Sequence, residues 1–188
     1  SVSAFNKFIE AFYEDEYPMF RNYVTTDMRI ATTGKVHEKV PLTPEEMDFL
    51  CAELAKREEW QKLAYVKFTY STGCRRAESR QLLKEVVNYE PKKTMVKVTD
   101  EDGVEHEVES ISYKTHDIRC KGRSKLGKVR KLQYGQDVKD AFDKWLEVRG
   151  EDDCPYMFVI KQKNDGSVRQ VGEDTFNSWC HGLFTKIM

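Results

Sequence analysis

Two short stretches of this 188-residue chain hold the side chains best suited to chemistry. The first reads Tyr70-Ser71-Thr72-Gly73-Cys74-Arg75-Arg76-Ala77-Glu78. A glycine turn separates two helical patterns, an arginine stands at the start of the second, and an acid follows one turn later. A guanidinium is a rigid fork of donors that matches phosphate oxygens. A helix N-terminus adds unpaired N–H groups and positive potential. Together they make a phosphate site, in which Glu78 holds the Arg75 side chain or caps the helix. The same residues also suit an ordinary interhelical turn with exposed arginines. In the second stretch, residues 119–131, every charged residue is basic: Arg119, Lys121, Arg123, Lys125, Lys128, Arg130 and Lys131. Such a block is either an electrostatic footprint for phosphate or a solvated surface hairpin. Just before it, at 100–109, the charged residues are all acidic: Asp100, Glu101, Asp102, Glu105, Glu107 and Glu109.

These side chains need elements to position them. Thr43-Pro44-Glu45-Glu46 reads as a helix start, with Thr43 as N-cap, proline at the first helical position and a capping box closed by Glu46. Met47, Leu50, Leu54 and Ala55 would form its buried face. A second helix is expected at about 59–71, with Trp60, Leu63, Ala64, Phe68 and Tyr70, ended by Gly73. A third is expected to start near Arg75 and cover 77–84. The period then changes. Met95, Val96 and Val98 precede an Asp102-Gly103 turn signal, and Val104, Val108, Ile111 and Tyr113 follow it. Ile118 falls in another short strand, and 129–134 reads as the next, joined to it by the basic loop. A helix at about 137–149 carries Val138, Ala141, Phe142, Trp145 and Leu146 on one face. Phe158 begins a short apolar run, Asn164-Asp165-Gly166 is a turn, and a last helix starts near Glu173. The fold class is therefore α+β, mostly helical, with a small antiparallel sheet.

The segment 72–78 resembles the T-G-x-R-x-x-E box of the tyrosine recombinase (phage integrase) family. The order of features around it is similar too: a Pro-Glu-Glu helix start before the box, a sheet of three antiparallel strands after it, then an amphipathic helix and a helix opening on Thr175-Phe176. Cys120-Lys121-Gly122-Arg123-Ser124-Lys125-Leu126-Gly127-Lys128-Val129-Arg130 is similar to the family's G-K-G-x-K-x-R hairpin, with a short insertion. The resemblance implies a recombinase catalytic domain over 41–188, an interdomain linker over 21–40 and the end of a smaller core-binding domain over 1–20. It implies that Arg75 is a catalytic arginine supported by Glu78. It also implies that a hairpin lysine is the general acid, either Lys121, aligned through Lys-Gly and preferred, or Lys125. Arg76, Arg119, Arg123, Lys128, Arg130 and Lys131 would contact DNA. The implied partner is double-stranded DNA, with a homo-tetramer on two sites, in the cytoplasm of a bacterium and encoded by it or a phage.

The implied reaction needs no cofactor and no metal. A tyrosine hydroxyl attacks a phosphodiester, leaving a phosphotyrosyl link and a free 5′-hydroxyl that can reverse the step. Departures from the pattern accompany the matches. The H-x-L-R-H box and the tyrosine beyond it are not found. His181-Gly182-Leu183-Phe184 imitates the box, but Phe184 stands where arginine is needed, so His181 reads as a helix-surface or core histidine. Tyr65 and Tyr70 read as helix packing, Tyr113 and Tyr134 as sheet residues, and Tyr156 as a loop anchor. The chain opens and stops inside helical patterns, so a piece of a longer protein is expected.

Composition bounds these readings. The net charge of −1 argues against a wholly basic nucleic-acid binder but not against a local patch. Aromatics at 12% and hydrophobics at 39% can form a core. No apolar run of about 18 residues suggests a membrane span. Five scattered cysteines with no C-x-x-C pair suggest neither a zinc site nor a disulfide framework; each is expected as a reduced, partly buried thiol. The alternatives are a DNA-binding module of this fold without catalysis, a topoisomerase of related fold, and an unrelated helical interaction domain.

Overall fold

The computed structural model describes residues 2–13, 15–18, 20, 41–100, 103–121, 127–162 and 164–188. They fall into two compact units, Ser1–Pro41 and Leu42–Met188. In the first, helix α1 (Val2–Phe12) places Phe8 against Phe12 and Tyr13, at 5.0 and 5.7 Å between ring centroids. The expected linker at 21–40 lies outside the described residues.

In the second unit the capping box forms as expected. The Thr43 hydroxyl accepts from the Glu46 N–H, and the Glu46 carboxylate accepts from the Thr43 N–H, so two otherwise unpaired donors are satisfied. Helix α2 (Pro44–Lys56) buries Leu50 and Leu54 on helix α3 (Trp60–Thr72). Helix α3 is central: Leu63, Ala64, Tyr65, Val66 and Phe68 are all buried, which occupies more than one face. It packs against α2 on one side and against α5 (Gln136–Arg149) on another, where Val138, Ala141 and Phe142 are buried. Aromatic rings join these layers. Phe68 meets Phe142 at 5.5 Å, Tyr134 stacks on Tyr113 at 5.5 Å, and Tyr65 stacks on Phe176 at 4.4 Å. Offset and edge-on pairs of this kind add to the area they bury. Among the described residues no buried side-chain nitrogen or oxygen lacks a hydrogen-bond partner.

The antiparallel sheet is present, with strand order β1-β2-β5. Strands β1 (Lys92–Thr99) and β2 (Glu105–Lys114) pair along their length, with Val96 opposite Val108. The alternate face carries a Lys–Glu ladder, including Lys93–Glu109 at 3.1 Å and Lys97–Glu105 at 3.4 Å. The strand expected at 129–134 is two strands. Strand β4 (Lys128–Arg130) pairs with β3 (Ile118–Cys120), and β5 (Gln133–Gly135) pairs with β2. Leu132 turns inward between them, and its N–H donates to the Thr115 hydroxyl at 2.9 Å. A separate hairpin joins β6 (Val159–Lys161) to β7 (Val168–Gln170).

The third helix departs from expectation. Helix α4 covers only Arg76–Ser79, and a 3₁₀ turn follows at Lys84–Asn88. A distant segment captures the backbone that would have continued the helix. The Met157 N–H donates to the Leu82 carbonyl at 2.7 Å, and the Lys84 N–H donates to the Pro155 carbonyl at 2.8 Å. The last helical stretch is divided as well, into α6 (Glu173–Ser178), a π-helical segment (Trp179–Phe184) and α7 (Thr185–Ile187). No helix among the described residues is long and apolar enough to cross a membrane.

Candidate functional site

Gly73 ends α3 in the left-handed conformation, with φ +60°, and its N–H donates to the Thr69 carbonyl at 2.9 Å. That turn brings Arg75 to the start of α4. Because α4 is a single turn, the field of an aligned helix contributes little, and the side chains make the site instead.

Glu78 lies at its centre, 1% exposed. Its Oε2 accepts from the Arg75 backbone N–H at 3.1 Å and from Arg130 Nη2 at 3.0 Å. Its Oε1 accepts from Arg75 Nη1 at 3.1 Å. A buried carboxylate is costly unless paired and hydrogen-bonded, and here three donors satisfy it. Burial pushes the Glu78 pKa up. The Arg75 N–H, the Arg130 and Arg75 guanidiniums and Cys120 outweigh that and hold it below the usual carboxylate value. Arg130 comes from β4, which the sequence reading placed among the DNA contacts. Its Nε donates to Cys120 Sγ at 3.0 Å.

The basic hairpin is tied to the same turn by a second clamp. The Gln81 side chain accepts from the Arg119 N–H at 3.0 Å and donates to the Arg119 carbonyl at 2.9 Å. Lys121 follows β3 directly and is exposed. On the other strand Gly127 has φ +72°, and a Cβ there would lie 2.4 Å from the Cys120 carbonyl oxygen. Only glycine allows the strands to approach so closely at this end of the hairpin. Lys125 and Arg123 lie outside the described residues. Arg76, Arg119, Lys128 and Lys131 are exposed. Arg75 is exposed as well, with 64% of its side chain accessible. Among the described residues its Nε and Nη2 hold no hydrogen bond, so the side-on edge of its fork is open to an anion.

Unfolding returns Glu78 to an ordinary value near 4.5. Its ion pairs therefore stabilise the fold above that pH and are lost as pH falls through the lowered folded value. Glu78→Gln is expected to cost roughly 2 kcal/mol at pH 7. It should also remove part of the stability difference between pH 7 and pH 3, as read by urea denaturation at both. An unchanged difference would show that the carboxylate contributes nothing.

The tyrosines hold mostly structural places. Tyr65 and Tyr134 are buried, and burial pushes both phenol pKa values far up. Tyr113 donates to Gln136 Oε1 at 2.7 Å, and Tyr156 forms a β-bridge with Leu83. Tyr70 is an exception, since it was expected to pack and is 55% exposed. His181 is exposed on the π-helical segment. Cys51, Cys74, Cys120, Cys154 and Cys180 are free thiols; Cys120 is buried and the others partly so. Among the described residues no three His, Cys, Asp or Glu side chains converge as a metal site.

Gln81 was not among the expected site residues, and Arg130 was expected at the DNA backbone rather than at Glu78. Gln81 carried no motif, and its clamp joins positions 38 residues apart. The part that Arg130 plays depends on its reach to Glu78, 52 residues away. A polar residue three positions after the Glu78 box was the only available signal for Gln81.

No family model matches the chain. The SPbeta prophage-derived recombinase-like protein YomM of Bacillus subtilis (strain 168) is 26% identical over 191 residues. That alignment takes in 100% of this chain and 51% of the relative, so the chain spans about half the length of the curated protein it matches. Among solved structures, the crystal structure of XerA recombinase has a similar fold, with a TM-score of 0.52 and 17% identity. The match covers 81% of this chain and 45% of that one.

Proposed function

We infer, from the relationship to the tyrosine recombinases that these likenesses support, that the chain carries one arginine and one lysine of a DNA strand-exchange site. In this reading Arg75 binds the nonbridging oxygens of the scissile phosphate, where charge builds in the transition state. Lys121 protonates the departing 5′-oxygen. A tyrosine from outside the described set supplies the nucleophile, and a phosphotyrosyl link conserves the bond until a partner strand's 5′-hydroxyl attacks it. Arg76, Arg119, Lys128 and Lys131 contact the backbone on either side. A tetramer on two duplex sites would bring four such sets together.

One observation carries the reading: Arg75 keeps the side-on edge of its guanidinium open while Glu78 holds its other end. That edge presents two parallel N–H donors, the geometry that grips a phosphate. The test is duplex DNA binding by the chain, followed by fluorescence anisotropy at several salt concentrations. Affinity is expected to fall steeply with salt, and Arg75→Ala is expected to weaken binding about tenfold and to lower the log–log salt slope by about one. Binding that ignores both salt and Arg75 would overturn the reading.

A second reading, a binding module without chemistry of its own, is favoured by the tyrosines. Tyr65 and Tyr134 are buried and Tyr113 is hydrogen-bonded within the fold. It predicts the same DNA affinity and differs from the first in that a longer form of the protein that binds the duplex would form no covalent adduct on a nicked or suicide substrate, which denaturing electrophoresis would detect.

A further inference from the structure

We propose that Arg130 is a positioning residue that neutralises Glu78 so that the charge and open fork of Arg75 stay available to a DNA phosphate. The inference rests on the proposed role of Arg75 and changes the expected role of Arg130 from backbone contact to internal support. The atoms used by the two arginines differ. Arg130 spends Nε on Cys120 Sγ and Nη2 on Glu78 Oε2, which is the side-on edge that would otherwise grip a phosphate. Arg75 spends only Nη1 and its backbone N–H on Glu78, and its own side-on edge is unused among the described residues.

Charge completes the argument. One buried carboxylate set against two guanidiniums leaves one positive charge over, and Arg75, the more exposed of the two, presents it. Among the described residues the other groups acting on Glu78 are Cys120 and, by its field on the thiol, Cys74, both without positive charge. Without Arg130, Arg75 would be the one counter-charge paired with Glu78 among the described residues. A buried carboxylate in that position draws the guanidinium into a bidentate pair. The fork that should meet phosphate would then be spent on Glu78, although Arg75 itself was unaltered.

The test is a double-mutant cycle on the 188-residue chain, with a short duplex as probe and anisotropy as readout. Arg75→Ala and Arg130→Ala are each expected to weaken binding about tenfold. The double variant should bind no worse than either single one, with no further loss of salt slope. Arg130→Gln, which removes the charge and keeps most of the shape, should bind as weakly as Arg130→Ala, whereas Arg130→Lys, which keeps a counter-charge for Glu78, should recover part of the binding. If the losses multiply and the slope falls again by about one, or if the uncharged glutamine variant binds as well as the unaltered chain, Arg130 does not act through Glu78 and the proposal fails alone. If Arg75→Ala changes nothing, the proposed role of Arg75 fails and takes this proposal with it. A readout without DNA guards against simple unfolding. In Arg130→Gln, a near-isosteric variant, the Arg75 side-chain NMR resonances are expected to shift on forming the tighter pair with Glu78. Unshifted resonances in a folded variant would overturn the proposal.

Discussion

Replacing Arg149 with methionine is expected to cost about 3–5 kcal/mol, the range for removing one partner of a buried ion pair. The Arg149 side chain is 3% exposed. Its Nε and Nη2 each donate to an Asp152 carboxylate oxygen at 2.5 Å, Nη1 donates to the Tyr156 carbonyl at 2.6 Å, and Nη2 also reaches the Cys154 carbonyl at 2.9 Å. Asp152 accepts the Cys154 N–H as well, and Lys84 Nζ donates to the Asp152 carbonyl. Arg149 is the main reason that the Asp152 pKa lies below its ordinary value. This cluster fixes the loop at 150–157, which is the segment that stops the third helix at Ser79. Its loss should therefore loosen the backbone behind Arg75 as well as lower stability. Urea denaturation measures the cost. Arg149→Lys should recover little, since an ammonium cannot serve two carboxylate oxygens and two or more carbonyls in one plane. A loss below about 1 kcal/mol, the range of an exposed pair, would mean that the cluster is not coupled to folding.

The second large effect concerns the hairpin lysine. In a longer form of the protein that carries the nucleophile and cleaves DNA, Lys121→Ala is expected to slow cleavage by about 10²–10⁴-fold, the range for losing a general acid. A duplex with sulfur in place of the bridging 5′-oxygen should restore the rate, because a thiolate leaves without a proton. Lys125→Ala, treated in parallel, should show a smaller loss and no such rescue. Rescue of the Lys125 variant alone would reverse the assignment, and equal losses without rescue would make both lysines phosphate contacts. Lys121 adjoins an anchored strand among the described residues. It directly follows β3, whose Arg119 is clamped to Gln81 and whose Cys120 is closely approached by Gly127.

Elements whose signals are local were legible in the residues. The capping box at Thr43 and Glu46 needs only neighbours three apart, so its residue types specify its hydrogen bonds. Gly73 was recognisable as a helix end because it can adopt the left-handed backbone that the turn requires. The long hairpin showed in the change of period around Gly103. The box from Thr72 to Glu78 was legible for the same reason, including the pairing of Arg75 with Glu78 one turn on.

What the residue string could not show depended on groups brought together from far along the chain. Residues 80–84 have helical composition, yet Leu82 and Lys84 give their backbone groups to Met157 and Pro155, and that exchange decides where α4 ends. Leu132 is buried between two strands that read as one, and only the closing of the sheet on Thr115 sets that break. Arg130 looked like one cation among seven in a basic block. Its distinct place follows from Glu78 being buried at the point where β4 passes α4. Local backbone preference is encoded by neighbours and can be read from them, so the helix starts, turns and motif were present in the amino-acid order alone. Burial of a charge is not local. Which arginines meet Glu78, and through which atoms, was decided only when packing excluded water from that carboxylate and made its partners energetically necessary.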